Sequence, residues 1–237
     1  MSKKFSIIIF TDLDGSLLHR DNFKFDVIKD YIKNLIDEGI IIIPNTSKTE
    51  KEIDEFITEL GSDLPYISEN GSSIHGLNLI NSNFPNKIVL SRDKQELIEI
   101  FNSKVPENLK AKCKFISKMN SKEQTNIFGL EENNLKNALN RKYTVPFLFE
   151  GDKTEKNKLL KILRSSSLTM QEGGRVLNLG DNFNDLDMLR NCDIPCLVFN
   201  DQFKQDQINI DNLIVSNKPS PEGWADVIKT ALVKLDY

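Results

Sequence analysis

The sequence predicts an α/β protein, a doubly wound (Rossmann-like) parallel sheet core with a second, inserted α/β cap domain. Three observations carry this prediction. The runs from Phe5 to Thr11, from Ile40 to Ile43 and from Pro65 to Ser68 are nearly continuous in apolar residues, as in strands buried on both faces of a parallel sheet. Amphipathic helical stripes separate them, giving the strand–helix rhythm of a doubly wound sheet. The texture then turns rich in Lys, Asn and Glu over 83–175, before an apolar core pattern resumes at Val176-Leu-Asn-Leu-Gly-Asp.

Taken in order, the first strand ends at Asp12-Leu-Asp-Gly. A helix over Asp26 to Glu38 places Val27, Ile28, Ile32, Leu35 and Ile36 on one stripe and closes at Gly39. The second strand runs into Asn45-Thr-Ser-Lys, and a helix with Ile53, Phe56, Ile57 and Leu60 on one face ends at Gly61. The third strand closes at Glu69-Asn-Gly. Sites in such sheets lie at the carboxyl ends of the strands, so Asp12, Thr46 and Asn70 are expected to converge. The inserted domain, 83–175, should hold helices at Asp93 to Asn102, Ser121 to Phe128 and Glu131 to Arg141, with strands at Cys113 to Ile116, Val145 to Phe149 and Leu168 to Gln171. The core domain, 1–82 and 176–237, resumes with the strand from Val176, then a helix. Strands at Cys196-Leu-Val-Phe and Leu213-Ile-Val and a terminal helix from Pro221 follow.

Composition excludes several classes. With 31 Lys+Arg against 35 Asp+Glu in 237 residues, no basic field points to nucleic acid or an anionic membrane surface. The longest apolar run is strand-sized, well short of the ~18 residues of a spanning helix. Met1-Ser-Lys-Lys opens no signal-peptide apolar region. Cys113, Cys192 and Cys196 lack metal-ligand spacing and fit reduced thiols. The expectation is a soluble, cytoplasmic enzyme with no membrane, nucleic-acid or obligate protein partner.

Two stretches carry chemistry. Asp12 and Asp14 follow a strand, and a glycine-assisted turn can bring both into one pocket. Two unpaired anions ~4 Å apart repel by roughly 4 kcal/mol at an effective dielectric of ~20, so the pair calls for a cation, and hard oxygen ligands favour Mg²⁺. The plainer alternative is an Asp-Gly turn. In Gly180-Asp-Asn-Phe-Asn-Asp, Asp181 offers a third carboxylate at a strand end and Asp185 lies a helical turn on. The alternative there is helix capping by Asn182 or Asn184, which is compatible with phosphate binding at the same helix end.

On these residues the chain resembles the haloacid dehalogenase superfamily of phosphohydrolases. Asp12-Leu-Asp-Gly-Ser looks like its first motif, Thr46-Ser-Lys its second and Gly180-Asp-Asn-Phe-Asn-Asp its fourth. Glu69-Asn-Gly and the position of the insertion resemble the branch with a large α/β cap. Within it, Thr46-Ser-Lys-Thr, Gly129-Leu…Ala138…Arg141-Lys-Tyr-Thr-Val-Pro-Phe and Ser220-Pro-Glu-Gly-Trp224 resemble the mannosyl-3-phosphoglycerate phosphatase family. The resemblance implies that Asp12 attacks phosphorus to form an aspartyl-phosphate. Asp14 then protonates the leaving alcohol and activates water. It implies Mg²⁺ held by Asp12, the Asp14 carbonyl and Asp181, with Asp185 supporting. Thr46, Ser47, Lys48 and Asn70 would line the phosphate and substrate site. Arg141 would clamp the glycerate carboxylate. Lys48 as a solvated helix-start lysine and Arg141 as an exposed helix end are the plainer alternatives. His19 and His75 match no motif and are expected in loops or at the surface, and Trp224 as a packing anchor.

One departure stands out. The family places a strand, a lysine-bearing turn and a helix between the cap strand resembling Leu168-Thr-Met-Gln-Glu-Gly-Gly-Arg and the strand leading to Gly-Asp. Here Gly174-Arg175 runs straight into Val176. A rival alignment finds the lysine in Asp152-Lys-Thr-Glu-Lys-Asn-Lys. The deletion is preferred, because the likeness continues on both sides of the gap, and Lys153, Lys156 and Lys158 are then the substitutes for the missing lysine. The resemblance implies hydrolysis of a small phosphorylated sugar-glycerate, mannosyl- or glucosyl-3-phosphoglycerate. The alternatives are a broader sugar-phosphate phosphatase and a shortened paralogue that binds metabolite with little turnover.

Overall fold

The structure, a computed structural model, describes residues 7–173, 176–180, 185–199 and 210–237. It opens with β1 (Ile8–Thr11), α1 (Asp26–Asp37), β2 (Ile41–Pro44), α2 (Glu50–Leu60) and β3 (Tyr66–Ser68). β1 and β2 pair in parallel from Ile8↔Ile41 to Thr11↔Pro44, and a parallel bridge, Asn45↔Ile67, carries the order on to β3. The three strands therefore end side by side. The apolar stripes of the helices close on them: Ile28, Ile32 and Leu35 from α1, and Ile53, Phe56 and Leu60 from α2, are buried in one core with Ile9 and Ile42, whereas Val27, expected on the α1 stripe, is exposed.

A three-stranded antiparallel sheet follows, in which β3 continues into β4 (Ser73–His75) and, past α3 (Leu77–Ile80), β5 (Lys87–Val89). His75, expected in a loop or at the surface, is instead a buried residue of β4, its ring stacked on Tyr66 at 4.5 Å. Its Nε2 lies 2.9 Å from Ser73 Oγ and 3.4 Å from Glu50, which also binds Lys87 at 2.6 Å and Lys142 at 2.7 Å. Burial holds the imidazole below its ordinary value; Glu50 and Asp54 oppose this, and Lys87 and Lys142 assist it. The unfolded chain therefore takes up this proton first as pH falls below ~6.5, so native stability declines there. His75→Phe keeps an aromatic ring on Tyr66 and removes the proton. Its melting temperature should fall less than the wild type's between about pH 7 and pH 5.5, and equal slopes in the two proteins would refute this.

The inserted unit comprises α4 (Lys94–Lys104), α5 (Glu107–Lys110), β6 (Cys113–Phe115), α6 (Ser121–Phe128), α7 (Glu132–Leu139), β7 (Val145–Phe149), α8 (Lys153–Ser165) and β8 (Thr169–Gly173). Leu97 and Phe101 of α4 pack with Leu159 and Leu163 of α8 onto Val145, Phe147 and Met170, forming a second core. The helix over 153–165 is not among those expected from the sequence. Its signal is the capping box, in which Asp152 accepts from Glu155 N and Glu155 accepts from Asp152 N.

The next strand differs from expectation. β9 (Val176–Gly180), read as the strand returning to the core domain at 176, pairs antiparallel with β7 and β8, giving the order β6-β7-β9-β8. The physical reason is the connector: two residues separate Gly173 from its partner Val176, and so short a link joins antiparallel neighbours, whereas a parallel crossover needs a dozen residues or more. Among the described residues, β1 accordingly pairs with β2 alone, and Ile8 and Phe10 are half exposed.

The chain then forms α9 (Asp185–Arg190), the parallel pair β10 (Cys196–Leu197) and β11 (Ile214–Val215), and α10 (Glu222–Lys234). Gly223 touches Lys218 O and Ser216 Oγ so closely that any Cβ would collide. Trp224 is buried, and its Nε1 donates to Thr11 Oγ1 at 2.9 Å. The expected anchor thus fastens α10 to the end of β1.

Candidate active site

The turn after β1 is held by its own backbone: Leu18 N donates to Leu13 O at 2.8 Å and Gly15 N to Leu18 O at 3.0 Å. Gly15 has φ +77°, which a residue without a Cβ adopts at no steric cost. Leu13, Leu17 and Leu18 are buried beneath. Asp12, half-buried, and Asp14, more exposed, flank the buried Leu13 in this turn.

The loop after β2 lies against this turn. Asn45 N donates to Thr11 O at 2.7 Å, Thr46 N to Ile67 O at 3.1 Å and Asn70 N to Thr46 O at 2.9 Å. These bonds set the main chain that carries Thr46 and Asn70 beside the end of β1, one residue before Asp12, and Thr46 is itself buried. Thr49 caps α2 in a capping box with Glu52. Lys48, just ahead of that cap, reaches Asp14 Oδ1 at 3.0 Å and Glu52 Oε1 at 3.5 Å. With its side chain only 11% exposed, it is no solvated helix-start lysine. Burial lowers its affinity for a proton, but the charges of Asp14 and Glu52 outweigh this and hold Lys48 above the usual lysine value. Partial burial raises the Asp14 carboxyl above its ordinary value, with Lys48 opposing.

A segment of the inserted unit is fastened onto these loops. Glu69 is fully buried at φ +47°, and its carboxylate accepts from Lys142 N (2.8 Å), Tyr143 N (3.1 Å) and Thr144 Oγ1 (2.6 Å). Thr49 Oγ1 donates to Asn137 O at 2.8 Å. Arg141 donates through one terminal nitrogen to Ser47 O at 3.1 Å and Thr144 Oγ1 at 2.9 Å, while its buried Nε has no partner among the described residues. Arg141 and Ser47 thus meet at the site, and the exposed-helix-end alternative for Arg141 falls. The clamping role of Glu69 has no local signature, because its partners lie far along the chain.

The second acidic stretch is less complete. Asp181 lies outside the described residues. Asp185 opens α9, and Met188 one turn later accepts from Asn45 Nδ2 at 3.5 Å, which sets α9 beside the end of β2. Among the described residues no group of three or more His, Cys, Asp or Glu side chains forms a metal site. Lys153, Lys156 and Lys158 sit on α8, which packs on the sheet of the inserted unit through Leu159 and Leu163. The ammonium found against Asp14 is that of Lys48.

Comparison with known proteins places this geometry. Residues 9–172, more than half the chain, match the family model of haloacid dehalogenase-like hydrolases. A glucosyl-3-phosphoglycerate/mannosyl-3-phosphoglycerate phosphatase of Persephonella marina is 28% identical over 270 residues, covering 97% of this chain and 98% of that protein. Its counterpart from Methanococcoides burtonii is 27% identical over 274 residues, covering 96% and 97%. An alignment of 270 residues on a chain of 237 leaves at least 33 positions without a counterpart here. The family match itself stops at 172, just before the junction at Gly174-Arg175. In fold, a haloacid dehalogenase-like hydrolase from Bacteroides thetaiotaomicron superposes with a TM-score of 0.64 at 12% identity, covering 96% of this chain and 100% of that one. No helix among the described residues is long and apolar enough to cross a membrane. With both the family match and the fold in agreement, the chain belongs to the haloacid dehalogenase-like hydrolases.

Proposed function

We propose that this chain is a Mg²⁺-dependent phosphatase that releases phosphate from mannosyl-3-phosphoglycerate or glucosyl-3-phosphoglycerate. The observation that carries the reading is the meeting of three loops: the Asp12–Asp14 turn, Thr46–Lys48, and the inserted segment bearing Arg141. That both long-matching relatives bear this activity in their names supports the substrate class.

In this reading an Asp12 carboxylate oxygen attacks phosphorus, the new O–P bond forms as the bond to the glycerate oxygen breaks, and Asp14 gives that oxygen its proton. Water then attacks the same phosphorus, gives a proton to Asp14, and frees Asp12 and inorganic phosphate. Thr46 donates to the phosphoryl oxygens, Asn70 borders them, and Lys48 faces their charge. Arg141, whose Nε lacks a protein partner, suits the glycerate carboxylate. By the resemblance the ion would be held by hard oxygens, the Asp12 carboxylate and the Asp14 carbonyl on this turn, with Asp181 and Asp185 of the second acidic stretch. Such a set fits Mg²⁺. When bound, the ion supplies charge neutralisation at the phosphoryl oxygens.

A second reading, a chain that binds metabolite with little turnover, is favoured by the pairing of the strand that leads to Asp181 with β7 and β8. A panel of glycosyl-3-phosphoglycerates and simple sugar phosphates, run with and without Mg²⁺, separates the readings. Mg²⁺-dependent release from the glycosyl-3-phosphoglycerates above all others is expected. Equal rates across the panel favour a broad sugar-phosphate phosphatase. Binding without release favours the second reading.

A further inference from the structure

The ammonium of Lys48 is more tightly held than a substrate-facing lysine requires. It lies 3.0 Å from Asp14 Oδ1 and 3.5 Å from Glu52 Oε1, and 4.6 Å from the centre of the Phe23 ring. Glu52 is itself locked. Its other oxygen, Oε2, accepts the Thr49 amide at 2.9 Å in the capping box of α2, and its side chain is 12% exposed. The helix start therefore fixes the direction of this carboxylate. Phe23 sits at φ +58°, a left-handed conformation that an aromatic residue adopts at a cost. Its loop is tied by Phe23 N to His19 O and His19 N to Lys24 O, both 2.9 Å. Strain at a residue whose ring faces a buried ammonium points to a role for that ring.

We propose that Glu52 and Phe23 are positioning residues that hold the Lys48 ammonium against Asp14 and so set the fixed cation with which this chain receives a phosphate group. Two of the three ammonium N–H donors face Asp14 and Glu52, and one remains for a phosphate oxygen. Without the pairing, the Glu52 carboxylate would stand uncompensated beside an incoming anion, and so would Asp14 whenever it carries no proton. The catalytic consequence rests on the phosphatase reading; the binding consequence does not.

The test is a double-mutant cycle on the full chain, with inorganic phosphate as probe and its affinity read by calorimetry. Glu52→Gln keeps the capping box, which Gln also forms, and removes the charge. Phe23→Leu removes the ring. Lys48→Met is expected to weaken phosphate binding about tenfold or more, and Glu52→Gln and Phe23→Leu roughly three- to tenfold each. In the Lys48→Met background neither second change should weaken binding further. The unliganded melting temperature of Glu52→Gln should stay near the wild-type value. Wild-type affinity in both Glu52→Gln and Phe23→Leu, equal losses with and without Lys48, or no phosphate binding by the wild type would each overturn the proposal. If the cycle couples but the wild type hydrolyses nothing on the panel, the phosphatase reading fails and the cradle stands. If hydrolysis is normal and the cycle does not couple, the cradle fails alone.

Discussion

Asp12→Asn is expected to abolish phosphate release while leaving the fold intact. An amide is a far poorer nucleophile towards phosphorus than a carboxylate, and loss of a covalent nucleophile costs on the order of 10⁴-fold or more in turnover. The fold should survive because the turn is held by backbone bonds from Leu18 and Gly15 and by the Trp224–Thr11 hydrogen bond. Steady-state assay beside thermal unfolding checks both halves. More than about one per cent of wild-type turnover would remove Asp12 from the nucleophile's role.

Glu69→Ala carries the largest expected effect on stability. The substitution leaves Lys142 N, Tyr143 N and Thr144 Oγ1 without their acceptor inside a buried site. Each unsatisfied buried donor costs about 1–3 kcal/mol, so a loss of about 3 kcal/mol or more follows. For a chain of this size that corresponds to a fall in melting temperature of roughly 6–12 °C. The same carboxylate positions the segment that carries Arg141 to Ser47, so KM for a glycosyl-3-phosphoglycerate should rise more than kcat falls. A melting temperature within about 1 °C of wild type would show that the carboxylate is not what fastens the two units.

Much of the fold was legible because burial writes itself into local pattern. The continuous runs of β1 and β2, the stripes of α1 and α2, and the Gly15 turn all follow from neighbouring residues alone. The parallel order then forced Asp12, Thr46 and Asn70 to one end of the sheet. What escaped was partner choice over distance. Val176–Gly180 is apolar enough for any buried strand, and its two-residue link to β8, not its composition, sets its place in the other sheet. α8 carries its apolar residues only in its second half, with Leu159 and Leu163 one turn apart, and its start is announced by the Asp152–Glu155 capping box. The Lys48–Asp14 ion pair and the Glu69 clamp join residues far apart in sequence, and no window of local pattern contains both partners. Asp181 lies outside the described residues, so its share in a metal site is a matter for the Mg²⁺ dependence of the panel.

The most direct test is to catch the phosphoryl group on the enzyme. Wild-type protein mixed with a glycosyl-3-phosphoglycerate and Mg²⁺ is quenched in acid within one turnover and treated with borohydride, which reduces an acyl phosphate to the alcohol. Peptide mapping should then find Asp12 converted to homoserine in the substrate-treated sample alone, and in no Asp12→Asn sample. Phosphate released at full rate from a protein whose Asp12 peptide remains unmodified would contradict covalent catalysis at this residue.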